Sequence, residues 1–149
     1  MNDQLKYSLV QVETSNGKER FIMATDLIET VMKECSIENY SVLGEEVSGK
    51  ALELQRFAHP FINITVPVIL GAYVTLEAGT GCVHTAGRHG LDDYNVCVKY
   101  GLEIYNPVGP DGCFKDDVEF FAGINVLKAN PSVVDVLKQK GALVALKVI

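Results

Sequence analysis

At 149 residues, 48% hydrophobic and 21% charged, the chain fits a single soluble domain with a core of its own, and disorder is not indicated. No apolar run approaches the ~20 residues of a membrane span, and the N-terminal MNDQLKYS lacks the basic and apolar segments of a signal peptide, so a cytoplasmic location is expected. A formal charge of −6 argues against a surface that grips nucleic acid unaided, because phosphate binding depends on clustered Lys and Arg.

Residues 5–12 alternate as a strand, and Ser15-Asn16-Gly17-Lys18 supplies the turn of a hairpin into a second strand at 20–24. Asp26 with Glu29 three residues on resembles a capping box, and Leu27, Val31, Met32 and Cys35 share one face of a helix running to about Glu34. Strands are expected at 40–47 and 51–57, separated by Ser48-Gly49-Lys50. After the break at His59-Pro60-Phe61, residues 64–70 contain Pro67 and read as an edge or bulged strand. Residues 73–85 read as strand, tight turn at Gly79-Thr80-Gly81, and strand.

A helix is expected from Asp92-Asp93, with Tyr94, Val96, Cys97 and Tyr100 at helical spacing and Gly101 just past its end. Residues 103–108 suit a strand, and Gly109-Pro110-Asp111-Gly112 a turn. Asn130 as N-cap and Pro131 at the first helical position open a helix whose apolar face is Val133, Val134, Val136 and Leu137 and whose end is Lys138, Lys140 and Gly141. Residues 142–149 read as a final strand. The sum is an α+β domain with a barrel-like mixed or antiparallel sheet and about three helices. Both ends fall within apolar strand patterns, so a segment of a longer chain is expected.

Chemistry concentrates in residues 79–94, GTGCVHTAGRHGLDDY, which hold two of the three histidines and an adjacent aspartate pair between a strand end and a helix start. His84, His89, Asp92 and Asp93 are of metal-ligating types, but their spacing matches no metal motif. Asp92 and Asp93 also have a structural role, since a carboxylate at a helix N-terminus stabilises it by ~0.3–1 kcal/mol. His84 reads equally as a hydrogen-bonded strand-end residue, His89 as a solvated loop side chain, and Gly79 and Gly81 as turn formers. Cys35, Cys82, Cys97 and Cys113 form no C-x-x-C pair and are expected to be reduced and mostly buried. The residues alone define a polar pocket of open substrate.

The same stretch, with ATDLIE at 24–29, RFAHPF at 56–61, YNPVGPDG at 105–112, GINV at 123–126, KAN at 128–130 and KGAL at 140–143, closely resembles the editing domain of bacterial isoleucyl-tRNA synthetase over nearly the whole chain. That resemblance implies an insertion in the catalytic domain of the synthetase that hydrolyses valine wrongly attached to the isoleucine tRNA, without a cofactor. A second sieve is needed because one methylene in an apolar pocket is worth only about 1–3 kcal/mol, isoleucine against valine in this very synthetase being the standard instance. It further implies that Asp93 binds the α-ammonium group, that His84 lies beside the amino-acid side chain and ester, and that Thr80 and Gly81 line the pocket. The partners implied are valyl-tRNA through its acceptor end, valine as ligand, and the remainder of the synthetase, with the domain itself a monomer.

Two departures stand out. The family usually reads HTAPGHGPDDY where this chain has HTAGRHGLDDY, so Gly87 and Leu91 replace prolines and Arg88 stands at a customary glycine. The family's threonine-rich segment, one wall of its editing pocket, and its ATP-binding signatures are not in the chain. Aminoacylation by these residues alone is excluded, and the alternative to hydrolysis is a non-catalytic module that binds an amino acid or the tRNA acceptor end.

Overall fold

The computed structural model describes residues 1–14 and 17–146. Strands β1 (Lys6–Thr14) and β2 (Gly17–Ala24) pair antiparallel from Tyr7↔Ala24 to Thr14↔Gly17, and β3 (Tyr40–Ser48) lies along the other side of β1, giving the order β2-β1-β3. Ser15 and Asn16 of the expected turn lie outside the described residues. A one-turn 3₁₀ helix (Thr25–Leu27) leads into α1 (Ile28–Glu34). Alternation along β1 and β2 sends Val10, Val12 and Met23 inward against Leu27, Ile28, Val31 and Met32, and this sheet–helix interface is the main core. Each such side chain contributes about 1.5–3 kcal/mol by leaving water.

The expected Asp26–Glu29 cap is not made: neither the 3₁₀ turn nor α1 has a side-chain cap hydrogen bond. α1 is instead secured at its far end, where Ser36 (φ +56°) donates its N–H to Lys33 and Ile37 donates to Met32. After β3 the chain enters a short helix α2 (Gly49–Leu52), capped by the Ser48 hydroxyl accepting from the Ala51 N–H, where a strand beginning at 51 was expected. Only β4 (Arg56–Ala58) remains of that strand. It pairs antiparallel with β5 (Thr65–Pro67), with Pro67 at the strand end, where its missing N–H costs little.

The remaining elements are α3 (Leu91–Lys99), a 3₁₀ turn (Val126–Lys128) and α4 (Asn130–Gln139). The domain is α+β, but its two antiparallel sheets, of three and two strands, stay open and no barrel closes among the described residues. Among the described residues four α-helices form rather than about three, the extra one being the single turn α2.

The expected strands at 73–85 do not form because that backbone is bonded elsewhere. The Ala24 N–H donates to Thr80 O (2.8 Å), the Tyr7 hydroxyl to Gly81 O (2.9 Å) and the Asn2 side-chain amide to Val74 O (2.8 Å). Residues 103–108 leave only a single bridge, Val108 to Phe114, since Pro107 has no N–H to give and the segment turns back through Gly109–Gly112. Residues 142–146 form no strand, and the rest of that expected strand, 147–149, lies outside the described residues. α4 begins one residue early, at Asn130 itself. The asparagine that caps is Asn125, whose side chain accepts from the Leu127 N–H at the preceding 3₁₀ turn.

Candidate functional site

α3 starts at Leu91, one residue before the aspartate pair, with Gly90 as an extended N-cap (φ −158°, ψ 148°) and no side-chain cap. Asp92 and Asp93 therefore occupy the first helical turn, where the helix dipole favours them, and the helix rotates them apart, leaving Asp92 exposed and Asp93 half-buried. The Tyr73 hydroxyl donates to Asp93 Oδ1 (3.4 Å) and therefore accepts from the Thr85 hydroxyl (3.1 Å). Burial raises the Tyr73 pKa above the usual phenol range, and the Asp93 charge acts in the same direction. At its other end α3 closes as its sequence indicates: Gly101 takes φ +62° and donates to Val98, while Leu102 donates to Cys97.

Two cavities flank the loop that precedes α3. The larger, about 740 Å³, has an apolar floor of Phe61, Ile62, Leu102, Ile104, Phe114 and Phe121, with His84, Thr85, Arg88, His89, Glu103, Asp117 and Glu119 also on its walls. The floor is braced by edge-on rings, Phe61 to Phe121 at 5.8 Å and 90°. The second, about 530 Å³, lies between β4, β5 and the loop, and shares His59, Phe61, His84, Thr85 and Leu102 with the first.

The structure thus brings His84, His89 and Arg88 onto one cavity; Asp92 and Asp93 line neither cavity, and Asp93 is linked to Thr85 on the wall through the Tyr73 hydroxyl. Thr80 and Gly81 line neither of these cavities. Gly81 is packed beneath the end of β2, and Thr80 edges a third cavity, about 390 Å³, between β2, α1 and residues 142–145. Among the described residues no three His, Cys, Asp or Glu side chains converge as metal ligands would. All four cysteines are free, and only Cys97 is buried, on the inner side of α3 against Gly87, so the expectation that most would be buried fails.

Reading by motif passed over two residues. Tyr73 counted as a strand residue, yet its hydroxyl is the link to Asp93. His59 counted as a pattern break and as part of RFAHPF but was given no role at the site, yet it sits on the wall between both cavities, its Nδ1 accepting from the N–H groups of Ile62 (3.2 Å) and Phe61 (3.4 Å). Burial lowers its pKa below the ordinary imidazole value, and the nearby charge of His84 lowers it further. The signal was present in His-Pro-Phe, since a residue ahead of proline is held extended and can fold its side chain over the next two N–H groups.

No known family profile matches the chain. Across nearly all its length it is homologous to one stretch of aminoacyl-tRNA ligases. These relatives are isoleucine–tRNA ligases: that of Pseudoalteromonas atlantica is 50% identical over 144 residues, that of Cronobacter sakazakii 51% over 144, and that of Aeromonas hydrophila 53% over 148, or 99% of this chain. The chain spans 15% of the length of each. No helix among the described residues is long and apolar enough to cross a membrane.

Proposed function

We propose that this chain is the single hydrolytic editing module of an isoleucine–tRNA ligase and removes valine mischarged onto the isoleucine tRNA. The observation that carries the reading is the near-complete match of this chain, at about half identity, to a stretch that makes up 15% of isoleucine–tRNA ligases. The two cavities beside the GTGCVHTAGRHGLDDY stretch are consistent with it, offering an apolar floor for an aliphatic side chain and polar groups for the rest of an aminoacyl ester. The partners are then the acceptor end of the charged tRNA and the remainder of the ligase, and the setting is the cytoplasm.

In this reading the Asp93 carboxylate holds the α-ammonium group. One of its oxygens accepts from the Tyr73 hydroxyl (3.4 Å), which helps to orient the carboxylate. His84, on the wall between the cavities, lies beside the ester and crowds out the larger isoleucine. Hydrolysis then relies on a water placed against the carbonyl and on stabilisation of the charge that develops on its oxygen. Thr80 and Gly81 act from their docked position by fixing the loop that carries His84.

The test is deacylation of valyl-tRNA of the isoleucine type, with isoleucyl-tRNA as control, by this chain and by the ligase that contains it. Asp93→Ala removes a charge-assisted contact of about 1.5–3 kcal/mol and is expected to lower kcat/KM roughly 10- to 150-fold. Binding of valyl-tRNA without any hydrolysis, by either protein, would favour the non-catalytic module. An Asp93→Ala variant that binds a non-hydrolysable valyl-adenosine analogue as tightly as the parent would remove that residue from the site.

A further inference from the structure

With the two halves of an aminoacyl ester seated in the two adjoining cavities, the bond between them lies at the partition. Here that partition is His59, Phe61, His84, Thr85 and Leu102. His59 is the member of that partition whose side chain is anchored to backbone N–H groups. Its Nδ1 is committed as acceptor to two backbone N–H groups, which settles the tautomer: the ring proton is on Nε2, and Nε2 has no protein partner among the described residues. Phe61 packs edge-on at 4.5 Å and fixes the plane of the ring. A neutral imidazole that lines both cavities, with one nitrogen anchored to the backbone and the N–H on the other, is a preorganised donor. It needs no reorganisation when negative charge appears beside it.

We propose that His59 is a further catalytic residue of this site, its Nε2–H donating to the carbonyl oxygen of the aminoacyl ester as water adds. The proposal rests on the hydrolytic reading above. In the step, the water oxygen bonds to the carbonyl carbon, and the π pair moves onto the carbonyl oxygen, where the His59 N–H meets it. The carbonyl then re-forms, the bond to the ribose oxygen breaks, and that oxygen takes one proton from the added water. The other proton leaves with the carboxylic acid and passes to solvent. The free amino acid and an intact ribose hydroxyl result.

Two variants separate this role from the turn that His59 also supports. In His59→Asn, Oδ1 stands near the place of Nδ1 and keeps accepting from residues 61 and 62, but nothing reaches the position of Nε2. In His59→Gln, the side-chain amide restores a distal N–H. Valyl-tRNA deacylation is measured under steady-state conditions in the ligase carrying this segment, and thermal unfolding in the 149-residue chain. His59→Asn is expected to lose about 100-fold in kcat with KM within about twofold and an unchanged unfolding temperature, and His59→Gln to recover to within about tenfold of the parent. Parental kcat in His59→Asn overturns the proposal, as does a loss in both variants that tracks a lowered unfolding temperature. A parental ligase that leaves valyl-tRNA intact overturns the hydrolytic reading itself, and the role of His59 with it.

Discussion

The docking of the glycine-rich loop onto the end of β2 can be tested with a pair of alanines. Gly79 and Gly81 both have left-handed backbones, φ +74° and +72°. An L-residue there costs roughly 1–2 kcal/mol. They differ in what a side chain would meet. A Cβ on Gly79 finds nothing within 4 Å, whereas one on Gly81 falls 2.5 Å from the Cβ of the buried Ala24, well inside van der Waals contact. Relieving that overlap means lifting the loop and stretching the Ala24–Thr80 and Tyr7–Gly81 hydrogen bonds, at a further ~1–3 kcal/mol for overpacking. Gly79→Ala is therefore expected to lose ~1–2 kcal/mol and Gly81→Ala ~2–5 kcal/mol, a large part of the ~5–15 kcal/mol that holds a domain of this size. Urea unfolding followed by far-UV circular dichroism reads both as midpoint shifts at constant slope. Equal losses for the two variants would refute the claim that Gly81 is pinned against Ala24.

Two further outcomes follow from local geometry. Leu91 opens α3 after an extended Gly90, the setting in which proline is preorganised, so Leu91→Pro should stabilise the chain by about 0.4–1 kcal/mol; a destabilised variant would show that the loop into α3 is not as described. His59 should titrate below ~6.5 in the folded chain, as the ring-proton shift against pH reads it directly. Because its folded pKa is the lower one, its contribution to stability is complete above ~6.5 and declines as pH falls from there towards the folded pKa, where the unfolded chain takes up the proton first. A titration at or above 6.5 would remove the burial argument.

Local patterns announced the elements that satisfy their own backbone. β1, α1 and α3 stand within a residue or two of where alternation and helical spacing put them, β2 starts three residues earlier than expected, and Gly101 ends α3 by the conformation only glycine adopts freely. What misled was apolar sequence whose hydrogen bonds go to distant partners. Residues 73–85 have strand composition, yet Asn2, Tyr7 and Ala24 claim their carbonyls, contacts made across more than fifty residues. The same limit applies to the site. His84 and the aspartate pair were visible as a cluster in one stretch, but the link from Asp93 through Tyr73 and the neighbouring position of His59 exist only once the chain is folded.

Burial is unevenly shared between the two halves of the molecule. The tightly packed core belongs to β1, β2 and α1, while beyond Gly49 the buried apolar residues among those described are few and scattered: Leu70, Val74, Cys97, Phe121 and Ala129. Local opening of a structure costs roughly what its buried contacts return, so amide protons around the cavities should exchange well before those of the sheet. The half that carries the cavities can thus reshape while the sheet holds its place. Adaptability and anchorage are divided along the sequence, near residue 49.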